Sequence, residues 1–245
     1  MKKILILGAS SDIGLSLLET IKDQDDFMIG AHCFKGEKRI KNLVGQSIAE
    51  IKVFKKNLQD KSACENLVKN YLNWSKGIDI LVQLNGEISN KKSWENLDEK
   101  NWKRDIAINL SAPFFASQLI FKQMKKKGGK IVFTSTSSAD RGGGSDTAGY
   151  GIAKAGLMAL TKILAKQGGK FKIKVNCVAP GFILTRLHFK KLKKNKQEII
   201  NRKKLNVLNT HGEPQEVANL IKYLISDETN FITGEIIKVD GGDWL

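Results

Sequence analysis

The chain has 245 residues, with 41 lysines and arginines against 25 acidic residues, a formal net charge of +16, and 41% hydrophobic residues. That length suits one α/β domain with a sizeable core. Three widely spaced cysteines, Cys33, Cys64 and Cys177, argue against a disulfide framework or a zinc knuckle, and no metal site is expected.

The positive charge is nearly all lysine and is spread along the chain with no stacking-aromatic motif beside it, so nucleic acid is not the expected partner. The apolar run after Met1 is too short for a leader and no later run is long enough to span a bilayer. The chain reads as cytoplasmic, with no membrane contact.

Strand-like and helix-like segments alternate. Lys3 to Leu7 is an apolar strand, and Ile13 to Ile21 is predicted helical. Between them lies Gly8-Ala9-Ser10-Ser11-Asp12-Ile13-Gly14. A glycine turn between strand and helix lets backbone N–H groups and the positive helix end approach a phosphate. No Gly-Lys-Ser/Thr follows, so this is not a triphosphate loop. Asp12 is placed to cap the helix.

Phe27 to His32 is the second strand and Lys52 to Phe54 a weaker third, followed by Asn57-Leu58. After the second strand stands His32-Cys33-Phe34-Lys35, with Lys38 and Arg39 beyond. NAD sites tend to place an acid here for the ribose hydroxyls. Its absence, with cations nearby, favours the 2′-phosphate of NADP over NAD.

Ser62 to Trp74 is helical. Ile78 to Leu84 is a strand leading into Asn85-Gly86, and Asp98 to Lys126 reads as one long helical stretch. Lys130 to Thr136 is the fifth strand, Thr147 to Gln167 a helix, and Ile173 to Val178 the sixth strand, with Pro180-Gly181 after it. Leu184 to His211 is lysine-rich and broken in pattern, and is expected as a mobile flap over the cleft. Pro214 to Ser226 is helical and Glu235 to Val239 is the last strand. This rhythm predicts a Rossmann-type doubly wound parallel sheet of about seven strands with helices on both faces, one domain over residues 1–245. Its ligand would lie at the carboxyl ends of the strands.

Tyr150 and Lys154 are four residues apart, on one helix face. A free phenol has a pKa of roughly 10. A nearby ammonium favours the phenolate and is expected to lower that value, making Tyr150 a proton donor to a carbonyl oxygen.

The glycine turn and Tyr150-x3-Lys154, in this order, resemble the short-chain dehydrogenase/reductase family. Ile108-Asn109-Leu110, Asn176 to Gly181 with Thr185, and the ending Ile232 to Gly242 extend the resemblance over nearly the whole chain. The resemblance implies a nicotinamide dinucleotide on Gly8, Ser10, Ser11, Asp12, Ile13 and Gly14. Lys35 would serve the 2′-phosphate, Asn57 and Leu58 would border the adenine, and Asn85 and Gly86 would supply backbone contacts. Pro180, Gly181, Ile183 and Thr185 would position the nicotinamide, while Lys154 binds the ribose beside Tyr150.

A catalytic hydroxyl at the end of strand five is also implied. Counting back from Tyr150 gives Ser137, which is preferred, whereas counting from the start of the strand gives Thr136. Asn109 is implied as a relay residue acting through its backbone carbonyl. Leu7, Asp12, Asn57 and Asn85 depart from the family pattern. Within the family the chain looks most like the 3-oxoacyl-[acyl-carrier-protein] reductases, which implies a carrier-linked ketone, an acidic acyl carrier protein as partner, and a homotetramer. Sugar-derived or other small ketones are the alternative substrates, and a non-catalytic nucleotide-sensing protein on the same fold is the alternative of another class.

Overall fold

The computed structural model describes residues 1–187, 189, 192 and 195–243. Seven strands, β1 (Lys2–Leu7), β2 (Phe27–Cys33), β3 (Glu50–Lys55), β4 (Ile80–Gln83), β5 (Gly129–Thr134), β6 (Ile173–Pro180) and β7 (Ile236–Val239), form one sheet in the order β3-β2-β1-β4-β5-β6-β7. All pairs are parallel. Parallel pairing needs crossovers, which cover both faces and bury the strands on both sides.

The helices are α1 (Asp12–Ile21), α2 (Glu37–Val44), α3 (Lys61–Ser75), α4 (Glu99–Ile106), α5 (Ala112–Met124), α6 (Ala148–Gly168), α7 (Lys196–Lys203) and α8 (Pro214–Ile225). Alternation along β1 divides the core. Ile4 and Ile6 pack with Leu17 and Leu18 of α1 and with Val217 and Ile221 of α8. Leu5 and Leu7 pack with Tyr71 of α3, Ile120 of α5 and Leu157 of α6 on the opposite face. Gly30 on β2 leaves room for the Tyr71 ring, because a Cβ there would lie 2.5 Å from it.

Strand order reverses beside β1, so the loops after β1 and β4 diverge and leave a crevice at their carboxyl ends. The predicted helix from Asp98 to Lys126 is interrupted. Asp98 caps α4 by accepting from Asn101 N–H at 2.9 Å, and residues Ala107–Ser111 then form a π-turn in which Ala112 N–H bonds to Ala107 C=O. Pro113 explains the break, having no N–H to offer the Asn109 carbonyl four residues back. Helix α2 was not anticipated. It is short and buries only Ile40.

The expected flap over 184–211 contains α7, closed by a capping box between Asn195 and Glu198. Residues 188, 190, 191, 193 and 194 of that expectation lie outside the described residues. Among the described residues no helix is long and apolar enough to cross a membrane, and no His/Cys/Asp/Glu group is placed to hold a metal ion.

Candidate active site

The crevice at the switch point opens into a cavity of about 670 Å³. Its floor is the turn after β1. Gly8 has φ 80°, and a Cβ there would meet Asn85 N at 2.6 Å. A Cβ on Gly14 would lie 2.7 Å from the carbonyl oxygens of Gly8 and Ala9. These glycines therefore keep the turn tight enough for backbone to face the cavity. Ser11, rather than the expected Asp12, caps α1, accepting from Gly14 N–H at 3.0 Å. Asp12 is instead the first residue of the helix.

His32, at the end of β2, supports the turn from behind. Its Nε2 lies 2.9 Å from the Lys56 carbonyl, which can only accept, so the proton sits there. Nδ1 is then free to accept from Gly8 N–H at 3.3 Å. Burial lowers its pKa to about 4, so the ring is neutral.

The chemical side is built by β5, β6 and α6. Tyr150 and Lys154 both line the cavity, with Lys154 Nζ 5.7 Å from the Tyr150 ring centroid. Lys154 is 3% exposed and donates to the Thr134 carbonyl at 2.8 Å and the Asn85 carbonyl at 3.3 Å. Burial lowers its pKa to about 8, while Cys177 pulls the other way.

The expected fall in the Tyr150 pKa is corrected. Burial instead pushes the phenol up to about 12, because removing water from a phenolate outweighs an amine that is itself desolvated.

The two candidate hydroxyls are separated by the structure. Thr136 lines the cavity, with Oγ1 3.3 Å from the Pro180 carbonyl and 3.2 Å from Ser138 Oγ. Ser137, the preferred residue from spacing, is 1% exposed and off the cavity wall, and its Oγ has no partner among the described residues. Thr136 is the last extended residue after β5, and the turn over 137–141 begins at Ser137. Ser135 donates to the Lys154 carbonyl at 2.7 Å and steadies α6.

Asn109 is fully buried in the π-turn. Its side chain accepts from Glu87 N–H at 3.0 Å and donates to the Glu87 and Asp105 carbonyls. It lies behind Gly86, where a Cβ would meet both Asn109 Oδ1 and Lys154 Nζ at 3.4 Å.

Of the other expected residues, Ser11, Asp12, Ile13 and Gly86 reach the cavity wall. Pro180, Gly181, Ile183 and Thr185 line it from the β6 side. Gly8, Ser10 and Gly14 shape the turn behind. Asn85 lies behind the wall, its Nδ2 donating to the Ile108 carbonyl at 2.7 Å. Lys35, Asn57 and Leu58 stand off the wall on the loops after β2 and β3: the Lys35 carbonyl accepts from Ser10 Oγ at 2.7 Å, and Asn57 donates to Gln59.

Sequence reasoning did not single out His32 or Arg186, which also faces the cavity. His32 follows the apolar run of β2, but its bond to Gly8 depends on strand register. A glycine-built turn leading into a helix N-terminus, beside a cavity at the switch point, fits a dinucleotide.

Fold and site together define a Rossmann-type protein with Tyr150 and Lys154 on the wall of its switch-point cavity. Residues 8–243 match the family described as enoyl-(acyl carrier protein) reductase. The chain is 32% identical over 245 residues to the 3-oxoacyl-[acyl-carrier-protein] reductase FabG of Salmonella typhimurium, covering 100% of this chain and 98% of that protein. It is 34% identical over 187 residues to the (2S)-[(R)-hydroxy(phenyl)methyl]succinyl-CoA dehydrogenase subunit BbsD of Thauera aromatica, covering 76% and 73% of the two chains. A short-chain dehydrogenase/reductase structure from Serratia marcescens, 24% identical, superposes with a TM-score of 0.90 over 100% of this chain and 98% of that one, and shares the fold. The chain belongs to the short-chain dehydrogenase/reductase family and is an NAD(P)-dependent oxidoreductase.

Proposed function

We propose that the protein is an NADPH-dependent reductase that converts a ketone to a secondary alcohol, with a 3-oxoacyl thioester on an acyl carrier protein as substrate. The observation that carries this reading is the meeting of Tyr150, Lys154 and Thr136 on one cavity at the switch point. A bound nicotinamide dinucleotide supplies the hydride. Tyr150, held protonated at neutral pH by its raised pKa, gives its proton to the ketone oxygen. Thr136 hydrogen-bonds that oxygen. Lys154 binds the ribose and, as an ammonium below about pH 8, stabilises the phenolate left behind.

The preference for NADPH rests on the missing acid at the end of β2 and on the cations Lys35, Lys38 and Arg39 that follow it. Substrate class rests on relatives whose names place the acyl group on a carrier protein or on coenzyme A. The excess of lysine suits an acidic carrier. Residues 1–245 act as one unit, in the cytoplasm and as a homotetramer.

The test is NADPH and NADH binding to the purified protein, followed by loss of NADPH absorbance with an acetoacetyl thioester. Tight NADPH binding and thioester-dependent oxidation are expected. Binding without turnover would redirect the substrate to sugar-derived or small ketones, and no binding of either nucleotide would overturn the enzyme reading.

A further inference from the structure

Asp12 occupies a position where a side chain is unexpected, yet its carboxylate is fully engaged. Oδ1 accepts from Arg39 Nη2 and from Arg186 Nε, both at 2.8 Å. Oδ2 accepts the backbone N–H of Arg186 at 2.7 Å. Both guanidiniums also donate to the Ser10 carbonyl, at 2.7 Å from Arg39 and 3.1 Å from Arg186. One residue thus joins the turn after β1, the first turn of α2, and the segment leaving β6.

Two physical consequences follow. A bare carboxylate facing a dinucleotide phosphate would repel it, but two guanidiniums on one carboxylate leave the cluster net positive. The bond to the Arg186 backbone fixes the Thr185–Arg186 peptide itself, which a side-chain ion pair alone would not do. Charge-assisted bonds of this kind are roughly twice as strong as neutral ones, and the Asp12 side chain is only 16% exposed.

We propose that Asp12 is a positioning residue that ties Ile183–Arg186, the nicotinamide side of the cavity, to the pyrophosphate turn, so that both ends of a dinucleotide are gripped by one rigid unit. This rests on the dinucleotide reading above. A glycine at this position has no acceptor to reach Arg186, so the coupling belongs to the Asp12–Arg186 combination of this chain.

The test uses the full chain with Asp12→Ala, Arg186→Ala and the double variant. Three quantities are measured: the Kd of NADPH, the Kd of 2′-phospho-ADP-ribose (the same molecule without the nicotinamide), and amide hydrogen exchange over residues 183–187 without nucleotide. Asp12→Ala, which removes the acceptor of the Arg186 backbone N–H, is expected to weaken NADPH about tenfold and 2′-phospho-ADP-ribose less than about twofold, and to speed exchange about tenfold; Arg186→Ala, which keeps that backbone bond, should show a smaller change in the same direction. The double variant should be no weaker than Asp12→Ala alone, since the Arg186–Asp12 side-chain bond is already lost there.

Equal loss for both ligands would mean simple damage to the turn, and additive losses would mean independent residues. Either overturns the proposal, as does unchanged exchange in Asp12→Ala. If the wild-type protein binds neither ligand, the dinucleotide reading fails with it, whereas a wild type that binds beside an Asp12→Ala variant that binds equally well sinks the coupling alone.

Discussion

The half of the sheet from β1 to β3 and the half from β4 to β6 hold their shares of the site in different ways. On the first side the turn is shaped by glycines and fastened by ion pairs at the rim, Arg39 and Arg186 on Asp12, with one neutral histidine beneath. On the second side the groups are buried and bonded to backbone: Lys154 to two carbonyls, Asn109 to Glu87, Ser135 to α6. Rim ion pairs are screened by salt; backbone bonds to buried groups are not. The first half should therefore respond to salt through affinity, and the second should respond to substitution through turnover.

The sharpest way to break this contrast is Tyr150→Phe. It removes only an oxygen at the cavity wall and should lower kcat by roughly 10²–10⁴-fold with the dinucleotide Kd nearly unchanged. Steady-state kinetics alongside a binding titration checks this, and an equal fall in affinity would erase the distinction between the halves.

A smaller effect probes the other half through His32. Its folded pKa of about 4 lies below the usual 6.5, so between those values the unfolded chain binds a proton that the folded chain does not. The stability from a neutral His32 is present above pH 6.5 and is lost as pH falls toward 4, by roughly 3 kcal/mol in full. Denaturant unfolding between pH 7.5 and 4.5 should show this slope, and a non-titrating His32→Asn variant should flatten it. Identical slopes in the two proteins would overturn the lowered pKa of His32.

The mildest comparison lies within the second half. Thr136→Ala should lower kcat/KM by about tenfold, one lost hydrogen bond to a developing charge. Ser137→Ala should leave activity within about twofold and stability unchanged or slightly raised, because it deletes an unpaired buried hydroxyl. Kinetics and thermal melts of the two variants decide it, and the reverse ranking would return the role to Ser137.

Much of this architecture can be read before any coordinates. The strand-like segments ending at Leu7, Leu84 and Thr136, each followed by small or polar residues, mark parallel strands whose carboxyl ends share an edge, and Tyr150 and Lys154 fall on one helix face by spacing alone. Two further elements carry local signals: Asn195-x-x-Glu198 is a capping box ahead of α7, and Pro113 signals the break after α4. Spacing could not choose between Thr136 and Ser137, since counting from the strand and from Tyr150 gives different residues and only the fold shows which hydroxyl lines the cavity.

What local pattern and chemistry dictated was the order of elements, the glycine turn and the tyrosine–lysine pair, because strand burial, helical period and tight turns depend on neighbours in the chain. Only the folded chain decided the rest. His32 reaches Gly8, Asn109 reaches Glu87, and Arg186 reaches Asp12 across 174 positions. The pKa values of Tyr150 and Lys154 likewise follow from burial, which is set by the packing of segments distant in sequence and not by the four residues between them.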